Sequence, residues 1–137
     1  MRPGWLLLLL AICACDRREL RAPEEVGYRA FAEAVRRSDA PTAWGAVSLK
    51  TKSLMEARAN AISEASKGGV KSDPALMMFQ SGTHGPALEG VKVLESDGGV
   101  AVLEVNAAGE THRIHMVRES GRWVVDLSDI FREANQP

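Results

Sequence analysis

The chain has 137 residues, with 17 Lys and Arg against 18 Asp and Glu and a formal charge of -1. Acids and bases are interspersed, so the strongly basic face that nucleic-acid binding calls for is absent and no nucleic-acid partner is expected. Its cysteines, Cys13 and Cys15, both stand at the extreme amino terminus, so the rest of the chain has no thiol for a disulfide, a thiolate metal site or a nucleophile.

The first residues read as an export signal. Arg2 and the amino terminus supply positive charge, Trp5 to Ile12 an apolar core, and small Ala14 precedes Cys15. Asp16, Arg17, Arg18 and Glu19 end the apolar run well short of the roughly 20 residues a spanning helix needs. Residues 1–14 are therefore expected to be removed. Residues 15–22 are charged and lack apolar periodicity, which makes them a short tether.

Pro23 is placed to open a helix, with Glu24 and Glu25 in the first turn, where the helix dipole favours negative charge. Tyr28, Phe31, Ala32 and Val35 recur at helical spacing, and the helix is expected to end near Ser38 and Asp39. Pro41 starts a second, short helix carrying Trp44 and Val47. The pattern Ser53-Leu54-Met55-Glu56 reads as a capping box for a third, with Leu54, Ala57, Ala61, Ile62 and Ala65 on its apolar face and Gly68-Gly69 as its stop. Asp73-Pro74 reads as an N-cap and first helical residue ahead of Leu76, Met77 and Phe79, and the piece Leu76-Met77-Met78-Phe79 suits either core packing or an adaptable binding surface or pocket lid. Gly82, Gly85 and Pro86 mark the crossing into a second half.

There the apolar period changes from helical to alternating. Asp97-Gly98-Gly99, Ala108-Gly109 and Ser120-Gly121 divide the second half into strands at Gly90 to Glu95, Val100 to Asn106, Glu110 to Arg118 and Arg122 to Leu127. Short turns between successive strands imply an antiparallel meander. Tight turns at Ala108-Gly109 and Ser120-Gly121 set a register in which Leu103 opposes Ile114, Ala101 opposes Met116, and Val117, Met116, His115 and Ile114 oppose Val124, Val125, Asp126 and Leu127. One face then collects Ala101, Leu103, Val105, Ile114, Met116, Trp123, Val125 and Leu127, and should receive the helices. The other mixes Val100, Val102, Val117 and Val124 with the neighbours Glu104 and Arg113 and the neighbours His115 and Asp126, as a partly solvated surface would. Residues 23–137 are thus read as a single α+β domain, with N-terminal helices on one face of a curved, four-stranded antiparallel meander.

No catalytic, metal or cofactor signature stands out. His115 beside Asp126 lacks a nucleophile and falls on the outer face. His112 and His115, three apart on a strand, point to opposite faces, and His84 sits in a Gly/Pro loop without an acidic neighbour. The basic residues Arg36, Arg37, Lys50, Lys52 and Arg58 are interrupted by Glu33 and Glu56, as on an ordinary solvated helix face.

Two stretches carry resemblances. Ile12-Cys13-Ala14-Cys15 resembles a bacterial lipobox, which implies a diacylglyceryl thioether on Cys15, acyl chains of the palmitate kind and a lipid-anchored place in the cell envelope, facing the periplasm or the surface. A second acyl chain is what turns marginal membrane binding into durable anchoring. Tyr28 to Val35, Ser38-Asp39-Ala40 before Trp44, and Gly121-Arg122-Trp123-Val124-Val125-Asp126-Leu127 resemble the nuclear transport factor two-like superfamily, also called cystatin-like or ketosteroid-isomerase-like, and in it small bacterial lipoproteins of unknown function. That resemblance implies a cone-shaped domain whose helices and concave sheet enclose a pocket, with Tyr28, Trp44, His112 and Trp123 as candidate walls, and a sheet face suited to a homodimer. It points to a noncatalytic envelope domain that binds a protein partner or a small apolar ligand. The alternative is a small isomerase-like or hydrolase-like enzyme working in the cone.

Overall fold

The computed structural model describes residues 20–79 and 85–133. The export signal, Cys13, Cys15, most of the tether, Gly82 and His84 lie outside the described residues. The chain forms helices followed by an open four-stranded antiparallel sheet, an α+β domain with its helices first.

Helix α1 spans Pro23–Arg36, with Pro23 supplying a ready-made first-turn φ and Glu24 and Glu25 in the first turn. It ends slightly before the expected Ser38 because Ser38 takes a positive φ of 56° and turns the chain. Phe31 and Ala34 are buried, with Tyr28 and Val35 packed against them. Glu24 is also buried, and its carboxylate accepts a hydrogen bond from the Ser96 hydroxyl at the far end of the sheet's first strand.

Asp39 caps helix α2, Ala40–Gly45, by accepting from the Thr42 N–H at 3.1 Å. Val47, expected on this helix, lies beyond it and forms a parallel bridge to Val125. The Ser48 N–H donates to the Val125 carbonyl and the Val125 N–H to the Ala46 carbonyl, each at 2.8 Å. The connection between helices thus occupies hydrogen-bonding positions on the open edge of the last strand, where an exposed ladder invites pairing with another chain.

Helix α3 spans Leu49–Ala65 and is capped by Ser48, whose hydroxyl accepts from the Thr51 N–H at 3.0 Å. The expected capping box therefore does not form, and Ser53 is an exposed residue inside the helix. The buried face is also different: Thr51, Met55 and Ala59 are buried, whereas Ala57, Ala61 and Ala65 are exposed. Alanines lie all round this helix and weakly mark a face, while Thr51 is drawn inward by the polar partners described below. Asp73 caps the single-turn α4, Pro74–Met77, through the Ala75 and Leu76 N–H groups, as its sequence implies.

The strands are β1 Leu88–Ser96, β2 Val100–Ala107, β3 Glu110–Glu119 and β4 Arg122–Asp126, hydrogen-bonded in that order. Leu103 opposes Ile114, Ala101 opposes Met116, Val117 opposes Val124, Met116 opposes Val125 and His115 opposes Asp126. Both turns that fix this register hold successive positive φ angles, 52° and 75° at Ala108-Gly109 and 50° and 76° at Ser120-Gly121, the twist that hairpins prefer. The expected Ile114–Leu127 pair is not in the ladder, because β4 stops at Asp126 and the chain turns into a further helix, α5, Ser128–Glu133.

Leu103, Val105, Met116 and Val125 form the centre of the core with Phe31, Ala34, Ala43 and Val47. Ile114, Trp123 and Leu127 share that face half-buried. Val124 departs from the expected outer surface. It is only 5% exposed, because the chain entering α3 brings Leu49 and Lys52 beside it at the edge of β4.

Candidate functional site

The apolar stripe of α1 does not bury all of its area against the sheet. Tyr28, Phe31, Ala32 and Val35 form one wall of a cleft of about 240 Å³. Met77 and Met78, placed by the Asp73 cap, line it too, together with Gly85, Pro86, Leu88, Ala107, Leu127 and, from α5 (Ser128–Glu133), Phe131. The volume lies just below the roughly 300 to 1,000 Å³ of sites that enclose drug-sized ligands, so an occupant is small or enters only in part. Two flexible thioethers give the lining the capacity to re-pack around different shapes.

Tyr28 contributes the phenol that is the cleft's one polar side chain among the described residues lining it. Burial pushes its pKa up from the ordinary 10.0, so the phenol is neutral and available as a hydrogen-bond donor or acceptor. Its ring stands 6.1 Å from that of Phe31 at a tilt of 46°, a geometry aromatic pairs favour. No carboxylate, imidazole, amine, thiol or aliphatic hydroxyl lines the cleft among the described residues.

Of the four candidate walls, Tyr28 alone lines this cleft. Trp44 is half-buried against the core with the Lys52 ammonium 5.9 Å from its ring centroid. Trp123 packs beneath α1, its carbonyl oxygen close to Gly27. His112 opposes Val105 on the helix-bearing side, but its side chain is 53% exposed and its Nε2 lies 3.4 Å from Glu110 Oε2. The opening residues of β3, from Glu110 to Arg113, are all exposed. Phe131 went unread in the sequence, although Ser128-Asp129 followed by Ile130-Phe131 carries the polar-then-apolar signal of a helix start.

His115 and Asp126 are cross-strand neighbours, as the turn chemistry predicts, but the Asp126 carboxylate is engaged elsewhere. Its Oδ1 lies 3.2 Å from each of the Ser48 and Thr51 hydroxyls and accepts from the Ser128 N–H at 3.0 Å. Burial alone would raise this carboxyl; hydrogen bonds from Ser128 and Ser48 and the positive field of Lys50 outweigh it and hold the pKa below the ordinary value. The group anchors β4 to α3. No cluster of three or more His, Cys, Asp or Glu residues suited to a metal ion occurs among the described residues.

A second, polar cleft of about 360 Å³ adjoins the apolar one, sharing Ala32, Pro86 and Leu88 with it and lined further by Arg29, Glu33, Arg36 and Ala87. Arg36 donates to Glu33 through Nε and Nη2, each at 2.7 Å, and Arg37 Nε lies 2.6 Å from the same carboxylate. These guanidiniums, Arg36 foremost, hold the Glu33 carboxyl down to about 2. Arg29 donates to Glu25 at 2.8 Å.

Comparison with protein families, curated proteins and solved structures finds no match for this chain. Among the described residues, no helix is long and apolar enough to cross a membrane.

Proposed function

We propose that this is a noncatalytic binding domain that takes a small apolar ligand in the cleft between α1, α4 and α5, held at the bacterial cell envelope by lipid on Cys15. The observation that carries the binding reading is the chemistry of the cleft: an apolar lining with one neutral phenol and no carboxylate, imidazole, amine or thiol among its described residues. Such a surface stabilises a ligand by removing apolar area from water, at roughly 25 cal/mol per Å², and its phenol offers one hydrogen bond. The placement of helices before a four-stranded meander is in keeping with a nuclear transport factor two-like domain. The anchor reading rests on the lipobox-like Ile12-Cys13-Ala14-Cys15 and on the charged residues that follow.

Each half has its own test. The uncharged dye phenylnaphthylamine should bind the full chain with a rise in fluorescence, and Ala32→Phe, which fills the cleft from α1, should abolish the rise without lowering the melting temperature. An unchanged rise in that variant would remove the cleft from consideration. For the anchor, the exported protein should partition into the detergent phase and Cys15→Ala into the aqueous phase; equal partitioning would show that Cys15 carries no lipid.

A further inference from the structure

We infer that the ligand is a single-chain anionic amphiphile whose tail enters the apolar cleft and whose head is held at Arg29 and Arg36. This rests on the apolar-ligand reading of the cleft and adds to it the part of the ligand that the apolar cleft leaves outside. The two clefts meet along Ala32, Pro86 and Leu88, so a chain lying between α1 and α4 emerges there, and the charged side chains lining the next space are Arg29, Glu33 and Arg36. About 240 Å³ of apolar space takes up most of a medium-length alkyl chain, so a longer chain or a head group extends beyond it, and the polar cleft adjoins it.

The charges at that exit select the head. On this flank of α1, Arg21, Arg29, Arg36 and Arg37 outnumber Glu25 and Glu33. Glu24 is turned inward to Ser96, Glu89 accepts from the Gly109 N–H, and neither is among the residues lining the two clefts. Glu33 is the one carboxylate lining the space, and both its oxygens already accept from arginines. A cationic head would have to displace those bonds to find a partner. An anionic head displaces nothing: Arg29 is tied to Glu25 through Nε and Arg36 to Glu33 through Nε and Nη2, which leaves further N–H donors on each guanidinium. Fatty carboxylates are the simplest molecules that satisfy both clefts at once.

The test compares decanoate, decanol and decylammonium, which share a tail and differ in the head, on the full chain carrying Cys15→Ala so that no attached lipid competes. Binding is read by displacement of phenylnaphthylamine below the micellar concentration of each amphiphile. Decanoate should bind about three- to tenfold tighter than decanol, the range expected of exposed charge-assisted hydrogen bonds, and decylammonium more weakly than decanol. In Arg29→Gln/Arg36→Gln the decanoate advantage should vanish while decanol affinity stays, and Arg58→Gln, on the exposed surface of α3, should change nothing. Equal affinity for decanoate and decanol, or an advantage that survives in the double variant, would overturn the inference and leave the apolar cleft standing. Failure of all three to bind would overturn the cleft reading together with the inference.

Discussion

The Thr51 hydroxyl lies 3.2 Å from Asp126 Oδ1 across 75 positions of sequence, and its oxygen also accepts the Leu127 N–H at 2.9 Å. Thr51 is fully buried at the start of α3 and Asp126 ends β4, so this one side chain ties a helix terminus to a strand terminus. The Ser48 hydroxyl lies within reach of Thr51 Oγ1 and Asp126 Oδ1, and its single proton has two acceptors. Thr51→Val keeps the shape and deletes the hydroxyl, leaving the Leu127 N–H and part of the Asp126 carboxylate without a partner. The loss should be about 1 to 3 kcal/mol, seen as a lower denaturant midpoint at unchanged slope, and Thr51→Ser should recover most of it. Equal stability of the valine variant would mean that water or a shifted neighbour serves these groups.

The same carboxylate sets an acid dependence. Its folded pKa lies below the ordinary 3.8, so its contribution is complete above that value and is lost as pH falls through the folded value. Glu33, Asp39 and Asp97 are shifted in the same direction, the last two by their N-cap and turn bonds, so the parent's own acid transition is shared among several groups. The difference between parent and Asp126→Asn isolates one of them. That difference should be constant around neutral pH and shrink once the pH drops below 3.8. A difference that grows on acidification would show that the native carboxyl is raised, with burial winning over the Ser128 and Ser48 bonds.

The sheet was legible because its register is local chemistry. Ala108-Gly109 and Ser120-Gly121 fix where each strand turns, and alternation then assigns every side chain to a face. Helix α3 was not, since its true start depends on Ser48 meeting Thr51 and Asp126, and Asp126 lies 75 and more positions away. Val124 was misplaced for a related reason: the chain entering α3, which brings Leu49 and Lys52 beside it, leaves no mark in the alternation of β4 itself. For the cleft, the Tyr28 to Val35 stripe and the Met77-Met78 pair were visible in sequence. His112 was assigned to the covered face correctly by parity, but parity does not say how far along β3 the cover extends.

Gly121 tests the turn chemistry directly. Its φ of 76° suits glycine and strains an L side chain, although a Cβ there would meet no atom within 4 Å. Gly121→Ala should therefore destabilise through backbone strain alone, by about 1 kcal/mol. Thermal melting checks the size, and amide exchange should show the extra opening confined to the β3–β4 hairpin. A neutral outcome would indicate that the hairpin tolerates a different turn at this register.

Gly27 poses the opposite case, a glycine kept for space. It lies within α1, where replacing glycine by alanine ordinarily stabilises a helix by about 1 kcal/mol. Here a Cβ would sit 2.9 Å from the Trp123 carbonyl oxygen and 3.2 Å from the Trp123 Cβ. The first contact is with backbone of β4, which is held by its ladder to β3 and by the Val47 bridge, so it cannot swing aside as a side-chain tip would. Gly27→Ala should push α1 off the sheet and cost about 1 to 3 kcal/mol net, overpacking exceeding the propensity gain. Because Tyr28 and Phe31 ride on the same helix, the variant should also loosen the apolar cleft and weaken phenylnaphthylamine binding. A raised melting temperature with unchanged dye affinity would show that α1 stands farther from β4 than this packing requires.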